Sequence, residues 1–332
     1  MPATQPESLV TAILDAIQES GSSAVVVSPV RQQPRKFVVS MPEGASVSLW
    51  VYVWTLTGGG RSSLPNEYRI QMTTVRSPLE INPLGYTVLS GYEPNLKMLA
   101  GFDLVRHSTF TTGSPSVQVD IRTIRQALQD GLSFDRKSND EIAVGIRPDQ
   151  FVAYMCNAEK LHKLGRQARV LGLLERASSL QTIADEEIAP LPAERQRIVR
   201  AISQLSRQAS FRQQVLRAYG HRCAVTGAQL RLVDAAHILP VGAPGSTDDI
   251  QNGIALSPTY HRAFDNGLIY LNDEYSMQIN PQKKSALASL QLDGGLEHFA
   301  TSLGRILLPP DPRQWPNAVL IRRANRFRQI AG

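Results

Sequence analysis

Two histidines and one asparagine stand in an ordered triple that limits the possible folds of the C-terminal part of this sequence. His237, Asn252 and His261 follow one another at separations of 15 and 9 residues. Thr226-Gly227 is a turn signal, and the apolar run from Leu230 to Ile238 predicts the return strand of a hairpin, with His237 near its end. A loop with Asn252 follows, and the next segment predicts a helix that carries His261. The local order is therefore strand, loop, helix and strand.

The phrases around these side chains resemble the HNH nuclease family and its ββα-metal fold. They read AAHILP at His237, QNGIAL at Asn252 and SPTYHRAFDNGLI at His261. The preceding AYGHRCAVTG is similar to the branch found at the C-termini of bacterial restriction-type endonucleases. The resemblance covers about residues 208 to 325, roughly a third of the chain.

This resemblance implies a phosphodiester hydrolase with His237, Asn252 and His261 as its catalytic residues. His237 would take the proton of the attacking water, because imidazole titrates near neutral pH. Asn252 would hold the backbone near that base. His261 would ligate one divalent cation, Mg²⁺ or Mn²⁺, which stabilises the negative charge that develops on phosphorus.

One expected metal ligand is missing from its usual place. Many members of the family carry Asp or His immediately before the general base, and Ala236 stands there in this chain. Asp265 is the first candidate for the missing ligand, because it follows His261 by one helical turn and shares its face. Asp234 is the second candidate, since it shares the side of the strand that Ala236 occupies.

Positive charge is concentrated in residues 160–235, which precede His237. Residues 160–235 contain 13 Lys and Arg against 6 Asp and Glu, whereas the whole chain has 35 against 29. Arginine guanidinium groups suit phosphate oxygens, so this segment predicts a polyanion partner, double-stranded DNA. A solvated helix face is the alternative for any single run of arginines. The predicted DNA-binding residues are Arg200, Arg207, Arg212, Arg217, Arg222 and Arg231.

The length of 332 residues indicates two domains of the α+β class. We predict a strand-rich recognition domain over 1–165, a helical linker over 166–195, and an HNH nuclease domain with flanking helices over 196–332. A helix is expected at Pro6–Gln18. Segments such as SVSLWVYVWTL predict a small antiparallel sheet or barrel in the first domain.

Further helices are expected at Val117–Asp130 and Pro148–Leu164. Glu194–Arg207 and Phe211–Tyr219 predict two successive helices, the second starting at a capping box on Ser210.

Composition argues against a membrane protein, a secreted protein and a structural zinc protein. No apolar run approaches the roughly 20 residues of a membrane span, and the N-terminus lacks a secretion signal, so we expect no membrane partner and a cytoplasmic location. With Cys156 and Cys223 alone, structural zinc is not expected.

The predicted function is a restriction-type endonuclease whose N-terminal domain selects a DNA sequence or a modified base. A homodimer is expected if both strands are cut together. Two alternatives stay open: a non-catalytic DNA-binding or regulatory protein with a degenerate HNH site, and an HNH nuclease that acts on RNA.

Overall fold

A computed structural model describes residues 4–41, 44–111, 113, 115–164 and 167–330. The chain divides into two compact units, Met1–Ala209 and Ser210–Gly332, with separate hydrophobic cores. The predicted boundary between residues 165 and 166 lies outside the described residues. Helices occur within the predicted linker, and Leu171 and Leu174 there are buried in the core of unit 1.

Unit 1 contains a seven-stranded sheet in the order β1-β2-β3-β6-β7-β10-β9 and a three-stranded sheet in the order β4-β5-β8. The expectation of a purely antiparallel sheet is wrong, because β3 and β6 pair in parallel. The chain between them forms β4 and β5, which is the long crossover that a parallel pair requires. The strands are β1 (Ser23–Val26), β2 (Arg35–Ser40), β3 (Ser46–Thr55), β4 (Thr57–Gly58), β5 (Glu67–Gln71), β6 (Gly85–Glu93), β7 (Met98–Phe102), β8 (Ser116–Asp120), β9 (Leu132–Arg136) and β10 (Ile142–Ile146).

The helices of unit 1 follow most of the predicted segments. The region 117–130 is an exception, since its first residues form β8 and a helix begins only at Ile121, where the Asp120 carboxylate accepts a hydrogen bond from the Arg122 backbone. The helices are α1 (Pro6–Glu19), α2 (Leu104–His107), α3 (Ile121–Asp130), α4 (Phe151–His162), α5 (Ala168–Ser178) and α6 (Asp185–Ile188). A 3₁₀ turn at Pro148–Gln150 precedes α4.

A single helix, α7 (Ala193–Ala218), replaces the two helices that the sequence predicted. The division between the units falls inside it. Ala209 and Phe211, on either side of the expected cap at Ser210, are both buried. Tertiary burial at this point therefore overrides the local capping signal.

Unit 2 is built from short elements around its own core. The predicted hairpin before His237 is wrong: β11 pairs with β12 instead, and residues 223–233 form turns in which Gly227, Leu230 and Arg231 have positive φ. None of the helices in the described part of the chain could cross a membrane. The elements are β11 (Asp234–His237), β12 (Gly253–Leu256), α8 (Pro258–Asp265), β13 (Ile269–Leu271), β14 (Ser276–Ile279), α9 (Pro281–Ser289), α10 (Leu296–Ala300), β15 (Gly304–Arg305) and α11 (Ala318–Phe327).

These observations confirm the predicted α+β class, with a strand-rich N-terminal part and a helix-flanked C-terminal part.

Candidate functional site

The first histidine lies at the end of β11, opposite a glycine. His237 and Gly253 are partners in the register of β11 and β12. A Cβ atom on Gly253 would lie 2.2 Å from Cγ2 of Val215 and 3.1 Å from a ring atom of Phe211, both on α7. Glycine therefore permits the close approach of this helix. As a result the Phe211 ring stacks on the His237 imidazole, with ring centroids 3.9 Å apart and 14° between the planes.

A carboxylate contacts the same imidazole from the loop between β11 and β12. His237 Nε2 lies 3.0 Å from Asp248 Oδ1, and the histidine side chain is 15% exposed. Since a carboxylate accepts the hydrogen bond, Nε2 carries the proton of the neutral ring, and Nδ1 keeps the lone pair that can accept another. Neither Asp248 nor Phe211 was predicted. The acidic pair Asp248-Asp249 before Asn252 was the available signal for the first, and nothing local marks the second.

Asn252 is fully buried, and its side chain forms hydrogen bonds with the backbone just after His237. Its Oδ1 accepts a hydrogen bond from the Leu239 backbone N–H at 2.8 Å, and its Nδ2 donates to the Leu239 carbonyl at 3.2 Å. The same Nδ2 also donates to Thr247 O at 2.8 Å and to Ser246 Oγ at 3.3 Å. The amide thus fixes both ends of the loop between β11 and Asp248.

His261 and Asp265 face each other one turn apart on α8. His261 Nε2 lies 3.3 Å from Asp265 Oδ2, and the two side chains are 27% and 56% exposed. Two ligand atoms that share one small cation at about 2.1 Å each lie about 3.0 to 3.4 Å apart. The imidazole nitrogen and the carboxylate oxygen therefore fit a shared divalent cation. Pro258 at the start of the helix pre-sets its first turn, and α8 packs against β11 and β12.

The second ligand candidate has a different partner. Asp234 Oδ1 lies 3.4 Å from an Arg212 guanidinium nitrogen, so it forms an ion pair rather than joining His261. Ala236 is fully buried in the core. Among the described residues, no three His, Cys, Asp or Glu side chains form a group that could hold a metal. Two protein ligands are nevertheless a sufficient set for Mg²⁺, which usually keeps several waters and takes further oxygens from phosphate.

The predicted DNA-binding arginines fall in both units. Arg200 and Arg207 belong to unit 1 and are exposed on α7. In unit 2, Arg212 forms an ion pair with Asp234. Arg217 and Arg222 are exposed and line a cavity of about 680 Å³. Arg231 is also exposed, on the turn before β11. The structure therefore brings Arg217 and Arg222 to one surface.

Two family models match this chain. Residues 223–272 match the HNH endonuclease model. This range contains His237, Asn252 and His261. Residues 47–155 match the model described as Methylase-associated X1. The predicted family of the C-terminal part is thereby confirmed: unit 2 contains an HNH endonuclease domain.

One similar solved structure is described as "Modification dependent TagI restriction endonuclease". It shares 13% identity with this chain, covers 89% of this chain and 85% of its own, and has a TM-score of 0.29. A score this low does not establish a shared fold. The search among proteins with curated descriptions gave no match.

Proposed function

We propose that this protein is a metal-dependent restriction-type endonuclease that cleaves double-stranded DNA. The observation that carries this proposal is the environment of His237. Its ring is held by the Phe211 stack and by Asp248, inside the segment that matches the HNH endonuclease model. An imidazole held from two sides, with one nitrogen left to accept a proton, is the arrangement that a general base needs.

In this proposal His237 Nδ1 takes a proton from the water that attacks phosphorus. Asp248 then faces an imidazolium and stabilises its positive charge through the Nε2 hydrogen bond. Asn252 keeps the base in place through its two hydrogen bonds to the Leu239 backbone. The chain itself therefore supplies the proton acceptor and its orientation.

His261 and Asp265 are the residues that would hold the divalent cation, Mg²⁺ or Mn²⁺. When bound, such an ion stabilises the negative charge that builds up on the phosphate and the leaving oxygen. Asp234 is the weaker candidate, because its carboxylate is paired with Arg212.

The remaining parts of the proposal concern DNA. Arg200, Arg207, Arg212, Arg217, Arg222 and Arg231 would contact backbone phosphates, which gives affinity without sequence choice. Selection of a sequence or a modified base is assigned to the N-terminal domain, and the match of residues 47–155 to a methylase-associated model supports a setting in which DNA methylation matters. We also propose a homodimer for double-strand cleavage and a cytoplasmic location.

The direct test is cleavage of supercoiled plasmid with Mg²⁺ or Mn²⁺, on DNA prepared with and without base methylation. Wild type should nick or linearise at least one of these DNAs, and His237→Ala should reduce the rate by about 100-fold or more. Unfolding midpoints of both proteins control for loss of structure. An RNA substrate digested in parallel distinguishes a ribonuclease.

The non-catalytic alternative also has an observation in its favour. Ala236 is buried where a metal ligand usually stands, and the described residues contain no three-ligand group. Under that alternative, wild type would bind DNA but leave all plasmids intact, and His237→Ala would bind equally well. Cleavage by wild type that His237→Ala abolishes would exclude it.

A further inference from the structure

The C-terminal helix α11 places an arginine between the two halves of the candidate site. Arg328 Nη1 donates a hydrogen bond of 2.7 Å to the backbone carbonyl of Ile238, the residue after His237. The Arg328 guanidinium carbon lies 4.5 Å from the ring centroid of Phe264, the residue before Asp265 on α8. One side chain therefore contacts both the residue that follows the proposed base and the helix of the proposed metal ligands.

The position of this arginine is fixed by packing. Ile321 and Ala324 on α11 are fully buried in the core of unit 2, and Arg328 follows at the end of the helix, where its N–H bonds the Ala324 carbonyl. Arg323 on the same helix donates a hydrogen bond to the carbonyl of Pro244, within the loop that leads to Asp248. Helix α11 and the residue that follows it thus contact this loop at its start and within it.

Burial of the Arg328 guanidinium costs free energy. Nε and Nη2 of Arg328 are buried and have no hydrogen-bond partner among the residues that the structure describes. Burial lowers the pKa of this guanidinium, and the nearby Asp265 carboxylate acts in the opposite direction. Each buried donor that lacks an acceptor costs free energy, so the single hydrogen bond to Ile238 brings little net stability. Stability alone therefore gives no reason for an arginine here, whereas its two contacts do.

We propose that Arg328 is a positioning residue of the nuclease site, which sets the spacing between His237 and the His261–Asp265 pair. It acts through the Ile238 carbonyl on one side and the Phe264 ring on the other. This inference rests on the proposed function, because it concerns the same site.

The test compares Arg328→Met with Arg322→Met, the same change on the same helix. Arg322 forms an exposed ion pair with Asp273, 2.7 Å between Nη1 and Oδ2, and Asp273 lies in the turn between β13 and β14. Arg328→Met should lower the single-turnover cleavage rate by about 100-fold, the size expected for a misplacement near 1 Å. Its unfolding midpoint should change by only a few °C, because relief of the two unsatisfied guanidinium nitrogens offsets part of the cost of leaving the buried Ile238 carbonyl without its donor. Arg322→Met should change neither quantity.

A second measurement needs neither metal nor cleavage. In the metal-free protein, Arg328→Met should shift the NMR resonances of the His237 and His261 rings, and Arg322→Met should leave them in place. Arg328→Lys can still donate to Ile238 but lacks the planar group that stacks on Phe264, so it should restore only part of the rate.

Two results would overturn the inference. One is a cleavage rate and ring resonances that Arg328→Met leaves unchanged. The other is a rate that falls only together with the unfolding midpoint, with Arg328→Lys restoring both, which would make Arg328 a packing residue. If His237→Ala cleaves as wild type does, the proposed function itself fails. If His237→Ala is inactive but Arg328→Met cleaves as wild type does, the inference alone fails.

Discussion

The loop after His237 depends on one buried amide, and its removal should have a local effect of predictable size. Asn252→Ala leaves the Leu239 N–H without an acceptor in a residue that is 2% exposed. A stranded buried donor costs about 1 to 3 kcal/mol, and loss of the 2.8 Å bond to Thr247 O adds about 1 kcal/mol. The Leu239 carbonyl keeps its hydrogen bond from Ser246 Oγ, so loss of its bond from Asn252 adds little to the free-energy cost. We expect a loss of about 3 kcal/mol in the stability of unit 2.

Hydrogen exchange followed by mass spectrometry measures this loss in the intact chain. A change of about 3 kcal/mol corresponds to an opening equilibrium about 150 times more favourable, so peptides from 223–272 should exchange faster by that factor. Peptides from 47–155, which belong to unit 1 with its separate cores, serve as the internal reference. Ser246→Ala is the matched control, because it removes a hydroxyl from the same loop but leaves the Leu239 N–H bonded to Asn252. It should cost about 1 kcal/mol.

The reasoning would be refuted by an acceleration below about 5-fold in 223–272, or by an equal acceleration in both segments. The first outcome would mean that water replaces the amide, and that Asn252 serves merely as a turn residue. The second would mean that the two units do not unfold separately.

Three further predictions concern pH, metal and salt. Burial lowers the pKa of His162 to about 4, against about 6.5 when unfolded. The stability that its neutral ring contributes to unit 1 is therefore fully present above pH 6.5 and is lost as the pH falls towards 4; urea titrations should give a flatter pH profile for His162→Gln. Asp265→Asn should raise the Mg²⁺ concentration for half-maximal cleavage at least about 10-fold, more than Asp234→Asn does, and equal effects would contradict the ligand assignment. Replacing Arg217 and Arg222 together by Ala should reduce the slope of log affinity for DNA against log salt by about 2, measured by fluorescence anisotropy, and an unchanged slope would remove them from the interface.

Local sequence patterns were sufficient to predict several elements of the fold. Helix α1 follows from its apolar spacing and Pro6, and β3 from a run of β-branched and aromatic residues. The phrases around His237, Asn252 and His261, in the correct order, were sufficient to predict the HNH domain, because they are read directly from the chain.

Other features depend on residues far apart in sequence. Pairing of β11 with β12, rather than with the residues before the turn, requires the partner strand beyond the Asp248 loop. The uninterrupted α7 requires burial on both sides of Ser210.

Sequence patterns alone identified the candidate groups for chemistry: the proposed base His237, and the proposed metal ligands His261 and Asp265 one helical turn apart. Only the tertiary structure decided what surrounds them, since Phe211, Asp248 and Arg328 come from a preceding helix, an intervening loop and the C-terminal helix. The physical reason is that one-turn and strand periodicities act over a few residues, whereas stacking, buried hydrogen bonds and ion pairs form wherever packing brings distant segments together.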